Sequence, residues 1–113
     1  MKFEIKEINK NKFLKNELGY VVKLLSNKNC KFRNIREIYL TSVNKNKIKG
    51  WNIHSRFTTN LFLITGKINL YIGKDHKNFK KFTIYSKRKK IIKIYPKTYF
   101  AFEGLGEDNI FLS

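Results

Sequence analysis

The stretch TNLFLITGKINLYI, residues 59–72, contains two runs of β-branched and aromatic residues on either side of Gly66. Each run has the length of a strand, and branched and aromatic side chains favour an extended backbone. Glycine is common in the tight turns that join neighbouring strands. The sequence therefore predicts strands at 60–65 and 68–72 that pair as a hairpin around Gly66.

Similar short runs recur along the chain, separated by turns rich in Asn, Lys and Gly. They predict further strands at 19–25, 35–43, 48–54, 79–85, 91–95 and 109–112. In the run at 35–43, alternation places Glu37, Tyr39 and Thr41 on one face. No segment has the apolar stripe of an amphipathic helix. Roughly seven or eight short strands in about 100 residues predict an all-β jelly roll or small barrel, because these architectures conceal strand edges.

The chain reads as one domain. It has 113 residues, one proline and six glycines, and no Ser/Pro/Gly-rich linker divides it. This length is too short for two cores and sufficient for one. We expect a single domain over 1–113 with its core at about 19–112.

Positive charge is the most pronounced bulk feature, with 25 Lys and Arg against 8 Asp and Glu, a net +17. Such a charge attracts nucleic acid, anionic membranes or phosphorylated ligands. The lysines are scattered, however, and the one dense run, KRKK at 87–90, reads as a solvated turn. A compositional bias of the genome explains this pattern better than a polyanion site, and the apolar run at 62–64 reads as a buried strand. A basic nucleic-acid-binding barrel is therefore the last of three hypotheses, and a diphosphate ligand remains compatible with the charge.

Cysteine and hydropathy patterns bear on location and metals. Cys30 is the single cysteine, so no internal disulfide can form, and no Cys/His cluster suggests a zinc site. Residues 1–7 lack a signal-peptide core, and no run of about 18 apolar residues suggests a membrane span. These features predict a cytoplasmic protein that uses no metal and no membrane partner.

The segment KGWNIHSR, residues 49–56, carries the most specific candidate chemistry. In a strand, residues two apart share a face, so Gly50, Asn52 and His54 point one way while Trp51 and Ile53 point the other. This pattern predicts a small polar face towards a pocket, backed by a bulky apolar face that packs behind it.

This segment resembles the (R/K)-G-x-H-x-(Q/H) strand of the dTDP-4-dehydrorhamnose 3,5-epimerase and dTDP-sugar 3,4-ketoisomerase families, which are cupins. The segment IYPKTYFAFEGL, residues 94–105, is similar to their I-P-x-G-x-x-x-x-F motif near the pocket. Residues 19–25, with Phe32 and 37–39, are similar to the segment that precedes their catalytic strand. The resemblance extends over about 19–112 and implies a cupin-type jelly roll.

The resemblance implies an isomerase or epimerase that acts on a dTDP-4-keto-6-deoxy sugar for surface polysaccharides, as a homodimer without metal or redox cofactor. His54 matches the second histidine of the ketoisomerase motif and is the candidate proton-transfer residue, because imidazole accepts and donates protons near neutral pH. Asn52 stands where the epimerases have their base, and an amide cannot act as one. The candidate diphosphate contacts are Lys49 and Arg56, and the candidate pocket-lining residues are Asn52, Glu37 and Tyr99.

Structural roles compete with each of these assignments. His54 can be a hydrogen-bonded structural residue, Lys49 and Arg56 can be solvated charges, and Glu37 can pair with a lysine. For Tyr99, packing is favoured over a role in catalysis. By elimination, Asp75 and Glu103 are the candidate carboxylate partners of His54. Asn52 also leaves open a non-catalytic cupin that binds a sugar nucleotide or a partner enzyme.

Overall fold

The chain folds into ten β-strands and a short 3₁₀ helix in the computed structural model, which describes residues 1–8, 13–26 and 37–113. The strands are β1 (Phe13–Asn16), β2 (Gly19–Ser26), β3 (Glu37–Ser42), β4 (Ile48–Asn52), β5 (Thr59–Thr65), β6 (Lys67–Gly73), β7 (Phe79–Tyr85), β8 (Ile91–Ile94), β9 (Tyr99–Gly104) and β10 (Ile110–Leu112). The 3₁₀ helix, Ser86–Arg88, follows β7. Cys30, Phe32 and residues 35–36 lie outside the described residues.

The strands form two antiparallel sheets. The first has the order β1-β2-β3-β10-β5-β8, and the second has the order β4-β9-β6-β7. Inward-facing side chains of both sheets form one hydrophobic core, in which the rings of Phe100, Phe102 and Phe111 contact one another at centroid distances of 5.5 and 4.7 Å. Burial of such apolar surface is the main stabilising contribution to a fold of this size. The predicted all-β jelly roll is confirmed.

The predicted hairpin around Gly66 is wrong. β5 pairs with β10 and β8 in the first sheet, whereas β6 pairs with β9 and β7 in the second. Gly66 therefore marks the point where the chain crosses between sheets. Its φ of +97° favours glycine, and a Cβ there would lie 2.1 Å from the backbone oxygen of Asp108. Residue type identifies the turn but not which strand each neighbouring run pairs with.

Most other strands follow the sequence. The predicted strands at 19–25, 79–85, 91–95 and 109–112 correspond to β2, β7, β8 and β10, and the strand at 48–54 ends earlier, at Asn52. The set predicted from residue runs omits β1 and β9. The omission of β9 matters for the site, because β9 lies between β4 and β6 at the centre of the second sheet.

A buried asparagine fixes the crossing between the sheets. Asn109 is 1% exposed, and its side-chain oxygen accepts hydrogen bonds from the backbone N–H groups of Lys67 and Gly106, both at 3.0 Å. Its amide donates to the carbonyl oxygens of Val43 at 3.0 Å and Gly106 at 2.9 Å. Asn109 thereby ties the start of β6 to the loop before β10. Sequence reasoning did not single it out.

Over the described residues, none of the helical structure is long and apolar enough to cross a membrane.

Candidate functional site

A cavity of about 400 Å³ lies between the two sheets. Residues of β1, β2, β3 and β10 line one side of it, and residues of β4 and β9 line the other. A second cavity of about 760 Å³ adjoins the first, with Arg56 and Glu37 among its lining residues. We call the first the inner cavity and the second the outer cavity. Both cavities are lined by His54, Tyr39, Thr59 and Ser113. The shared residues place His54 where the two cavities meet.

A β-bulge in β4 determines which side chains reach the inner cavity. Lys49 pairs with Phe102 of β9, and Asn52 pairs with Phe100, so three steps along β4 oppose two along β9. The extra residue resets the alternation, and Lys49 and Asn52 therefore line the same cavity despite their odd spacing. Gly50 lies in the bulge with a φ of +154°, and a Cβ there would be 2.3 Å from the Cβ of Ala101. The bulge thus depends on glycine at this position.

His54 follows two residues after Asn52 and lines the inner cavity with it, as the alternation at 50–54 predicted. Its ring lies 5.8 Å from the ring of Phe100, and its backbone oxygen accepts a hydrogen bond from the N–H of Lys97 at 2.7 Å. None of the described residues donates a hydrogen bond to its imidazole or accepts one from it. The imidazole therefore lies at the cavity and is available to a ligand.

The carboxylates suggested by elimination are engaged elsewhere. Asp75 accepts hydrogen bonds from the backbone N–H groups of Lys77 and Asn78, both at 2.8 Å, and these bonds lower its pKa. Glu103 accepts from Asn69 at 2.9 Å and from the Tyr71 hydroxyl at 2.7 Å, which lowers its pKa in turn. Neither carboxylate orients His54.

Lys49 is half-buried at the cavity wall. Its ammonium donates a hydrogen bond to the backbone oxygen of Tyr20 at 3.2 Å, which joins β4 of the second sheet to β2 of the first. Burial lowers the pKa of Lys49, because the charged form loses hydration in this position. Among the described residues, no carboxylate pairs with it.

Glu37 and Tyr39 share one face of β3, as alternation predicted, and the Tyr39 hydroxyl donates a hydrogen bond to the Glu37 carboxylate. The Lys23 ammonium lies 3.2 Å from the same carboxylate and 5.6 Å from the Tyr39 ring centroid. Burial, followed by the bond to Glu37, raises the pKa of Tyr39. The phenol lines both cavities together with His54. The alternation at 37–41 contained this signal, although Tyr39 was not among the candidate site residues.

The remaining candidates are divided between the cavities and the outer surface. Asn52 lines the inner cavity, and the exposed Arg56 lines the outer one. Tyr99 was expected in the pocket, but it contacts Trp51 at 6.5 Å on the opposite face of the second sheet. Its neighbour Phe100 occupies the inward position, because successive residues of β9 alternate between the faces. Trp51 packs on this outer face against Phe79 at 5.3 Å and stays 38% exposed.

The described residues contain no group of three or more His, Cys, Asp or Glu side chains that could hold a metal ion. His54 and Glu37 are the residues of these types that line the two cavities. A protein metal site generally needs a larger set of such ligands. The donors present do not form such a site.

No protein-family model matches the chain, and no curated protein matches it. Solved structures with a similar fold include CapF, the capsular polysaccharide assembling protein of Staphylococcus aureus, with a TM-score of 0.75 and 11% identity over 88% of this chain and 28% of CapF. The oxalate decarboxylase of Lactobacillus farciminis, in a formate complex, gives a TM-score of 0.74 and 14% identity over 89% of this chain and 29% of that protein. A variant of Bacillus subtilis oxalate decarboxylase gives 0.74 and 17%, over 88% and 26%.

These likenesses show the cupin-type jelly-roll fold. At identities of 11–17% they show the fold alone. The chain also spans less than a third of the length of each of these proteins.

Proposed function

We propose that the inter-sheet cavity binds a nucleotide-linked keto sugar and that His54 transfers a proton on it, in an isomerase or epimerase reaction of surface polysaccharide synthesis. The observation that carries this proposal is the bulge of β4, which directs Lys49 and Asn52 to the cavity that His54 also lines. The fold is shared with CapF, a capsular polysaccharide assembling protein, and this likeness supports a role in surface polysaccharide synthesis.

The chemistry requires removal of a proton from a carbon next to a carbonyl group. The His54 imidazole accepts that proton, and the electron pair left behind forms an enolate whose charge lies on the carbonyl oxygen. Protonation of the same carbon on its other face, by a second donor such as water, gives an epimer. For isomerisation, the former carbonyl oxygen takes a proton to give an enediol, the hydroxyl on the deprotonated carbon loses its proton, and the former carbonyl carbon gains one, so that the keto group has moved. Both routes need the imidazole within reach of the carbon that loses its proton.

Two neighbours of His54 on the cavity wall can stabilise the enolate. The Lys49 ammonium uses one N–H for Tyr20 and has no further partner among the described residues. The Asn52 amide supplies an uncharged donor. Donors that point to a developing oxyanion from a fixed position are among the strongest contributions to catalysis. On the facing sheet, the Tyr39 phenol is a second group that can exchange a proton.

The outer cavity is suited to the nucleotide. Arg56 lines it, and a guanidinium can hold two oxygens of a diphosphate at once. The net charge of +17 adds a general attraction for such a ligand. We therefore assign Arg56 to the diphosphate and Lys49 to the sugar. This differs from the expectation from sequence, in which both residues contact the diphosphate.

Proton exchange in D₂O tests the proposal. The protein is incubated with a panel of dTDP-4-keto-6-deoxy sugars, and deuterium in the sugar is measured by NMR. We expect incorporation that falls by about 100-fold or more in His54→Asn, the range for loss of a general base. His76 provides the matched control, because its imidazole is exposed in the loop after β6. His76→Asn should exchange at the unchanged rate.

Two results of this experiment would contradict the proposal. If no sugar of the panel gains deuterium above the rate without protein, the isomerase assignment is wrong for that panel. If the two histidine variants lose exchange equally, His54 is not the proton-transfer residue.

A non-catalytic sugar-nucleotide-binding cupin is the second candidate. It is favoured by Asn52, which replaces the histidine of the epimerase motif, and by the His54 imidazole, which has no orienting partner among the described residues. This candidate predicts binding of dTDP-sugars, measured by calorimetry, with no exchange by the unaltered protein and unchanged affinity in His54→Ala.

A further inference from the structure

The outer face of the second sheet carries a row of aromatic and basic side chains along β7. Phe79, Lys81 and Tyr85 are an even number of residues apart on that strand and therefore share one face. Lys67 of β6 pairs directly with Tyr85 and lies on the same face. Lys87 of the 3₁₀ helix continues the row. We name these five residues the β7 face. They lie on the opposite side of the sheet from the candidate site, so the site does not account for them.

The aromatic rings of the β7 face are exposed and supported. Phe79 is 45% exposed, and it is held by Trp51 at 5.3 Å and by Tyr71 at 5.8 Å. Tyr85 is 40% exposed, with the ammonium groups of Lys67 and Lys87 at 5.1 and 5.9 Å from its ring centroid. A planar group that stacks on Tyr85 would therefore bring any attached anion close to two cations.

Most charged side chains of this region are basic. Residues 79–90 read FKKFTIYSKRKK, which includes six basic residues and no acidic residue. Lys67 adds another positive charge beside Tyr85. Glu103, on the same face, is turned towards Asn69 and Tyr71, which hydrogen-bond to its carboxylate. The region is thus complementary to a polyanion.

We propose that the β7 face binds single-stranded nucleic acid, with bases stacked on Phe79 and Tyr85 and phosphates bound by the neighbouring lysines. Proteins that bind single strands combine such a basic track with exposed aromatic rings. The two rings are six residue steps apart along the strand, a distance of about 20 Å. Charge alone would retain any polyanion equally well. The exposed rings are what select a polymer that carries bases.

Fluorescence anisotropy on the full chain tests the proposal. The probe is a labelled thymidine oligonucleotide of about 12 nucleotides, a length within the range that single-strand sites cover. The comparison probe is an abasic oligonucleotide of equal length and charge. We expect the thymidine probe to bind at least about 10-fold more tightly, because bases that stack on aromatic rings add to the affinity and an abasic strand has none.

Substitutions separate stacking from charge. Tyr85→Leu should weaken binding of the thymidine probe about 5-fold or more and leave the abasic probe unchanged. Tyr95, 64% exposed and outside the β7 face, gives the control Tyr95→Leu, which should bind both probes normally. Lys81→Gln with Lys87→Gln should reduce the slope of log affinity against log salt by about 1.4, or about 0.7 for each lost contact. The control is Lys47→Gln with Lys93→Gln, which removes the same charge at two exposed positions outside the β7 face.

Equal affinity for the thymidine and abasic probes would overturn the proposal and leave only general polyanion attraction. Equal effects of Tyr85→Leu and Tyr95→Leu, or of the two lysine pairs, would also overturn it, because binding would then not be confined to the β7 face. A circular dichroism spectrum that matches the unaltered protein establishes that each variant is folded before its affinity is compared.

Discussion

Gly50 determines where the side chains of the candidate site point. It lies in the β4 bulge with a positive φ, and its Cα approaches β9 so closely that a Cβ would lie 2.3 Å from that of Ala101. Any other residue strains the backbone and pushes the two strands apart. Without the bulge, Lys49 and Asn52 would face opposite sides of the sheet.

Gly50→Ala should lower the free energy of unfolding by about 2–4 kcal/mol, from the steric overlap together with the strained φ. Urea unfolding measures the change. The double variant Gly50→Ala/Ala101→Gly should regain part of the loss, because the overlapping methyl group is removed while the backbone strain stays. The change in unfolding free energy of the double variant is compared with the sum of the changes in the two single variants. If the two are equal, the close contact between β4 and β9 is contradicted.

Lys49 provides a prediction on pH. Its pKa is lowered from 10.5 by burial, so its charge destabilises the fold at neutral pH. As pH rises from the lowered folded pKa towards 10.5, the folded state releases the proton before the unfolded state does. The unfolded state then binds more protons, and stability rises with pH over this window.

We expect the free energy of unfolding of the unaltered protein, relative to Lys49→Met, to increase as the pH rises through the alkaline range towards 10.5. Urea unfolding at several pH values measures this difference. The exposed Lys47 gives the control Lys47→Met. The same trend relative to both variants would mean that the burial of Lys49 is not responsible.

At the scale of elements, Asn109 connects the strands on either side of the sheet crossing. Asn109→Ala leaves the N–H groups of Lys67 and Gly106 and the carbonyl of Val43 without their side-chain partner. Since these groups are mostly screened from water, we expect a loss of about 2–4 kcal/mol in unfolding free energy. Asn60→Ala, at an exposed position of β5, should change it by less than about 0.5 kcal/mol. Comparable losses in the two variants would contradict the role of Asn109.

The sequence predicts elements with strong local patterns and misses those that depend on partners elsewhere in the chain. β7 and β10 follow from their apolar and aromatic runs. The β4 bulge does not, because it arises from the register between β4 and β9, and pairing partners are not encoded in local alternation. The hairpin at Gly66 was wrong for the same reason. The run at 62–64 was expected to be buried, yet Ile64 is 46% exposed, because β5 has only one face towards the core.

In the candidate site too, local sequence predicts some features, and others depend on packing between distant parts of the chain. Asn52 and His54 were expected on one pocket-facing side of 50–54, and both line the cavity. Tyr39 was placed on the correct face of β3, but its position opposite β4 follows from the packing of the two sheets. Tyr99 was assigned to the site because its segment resembles a motif, but the alternation of β9 places its side chain on the outer face of the second sheet, against Trp51.

At the scale of the whole molecule, the charge of +17 is the main unfavourable feature. The ion pairs Lys23–Glu37 and Lys45–Glu107 join side chains that are partly or mostly exposed, and such pairs contribute little. Repulsion among the remaining cations is stronger in the compact state than in the expanded unfolded chain. The fold should therefore be sensitive to ionic strength.

Raising NaCl from about 20 mM to about 200 mM shortens the range of this repulsion and should shift the urea midpoint of unfolding upwards. Potassium chloride at the same ionic strength should have the same effect, because screening does not depend on the identity of the cation. A midpoint that falls or stays constant would show that repulsion does not limit stability.

The inter-sheet site is tested most directly by NMR, which follows the imidazole signals of the two histidines while dTDP-glucose is added. Because the chain has only His54 and His76, one spectrum contains both the site and its control. The inter-sheet site predicts that the His54 signals shift and saturate while those of His76 in the exposed loop stay in place. Unchanged His54 signals at a ligand concentration that saturates the protein, or equal shifts of both histidines, would contradict it.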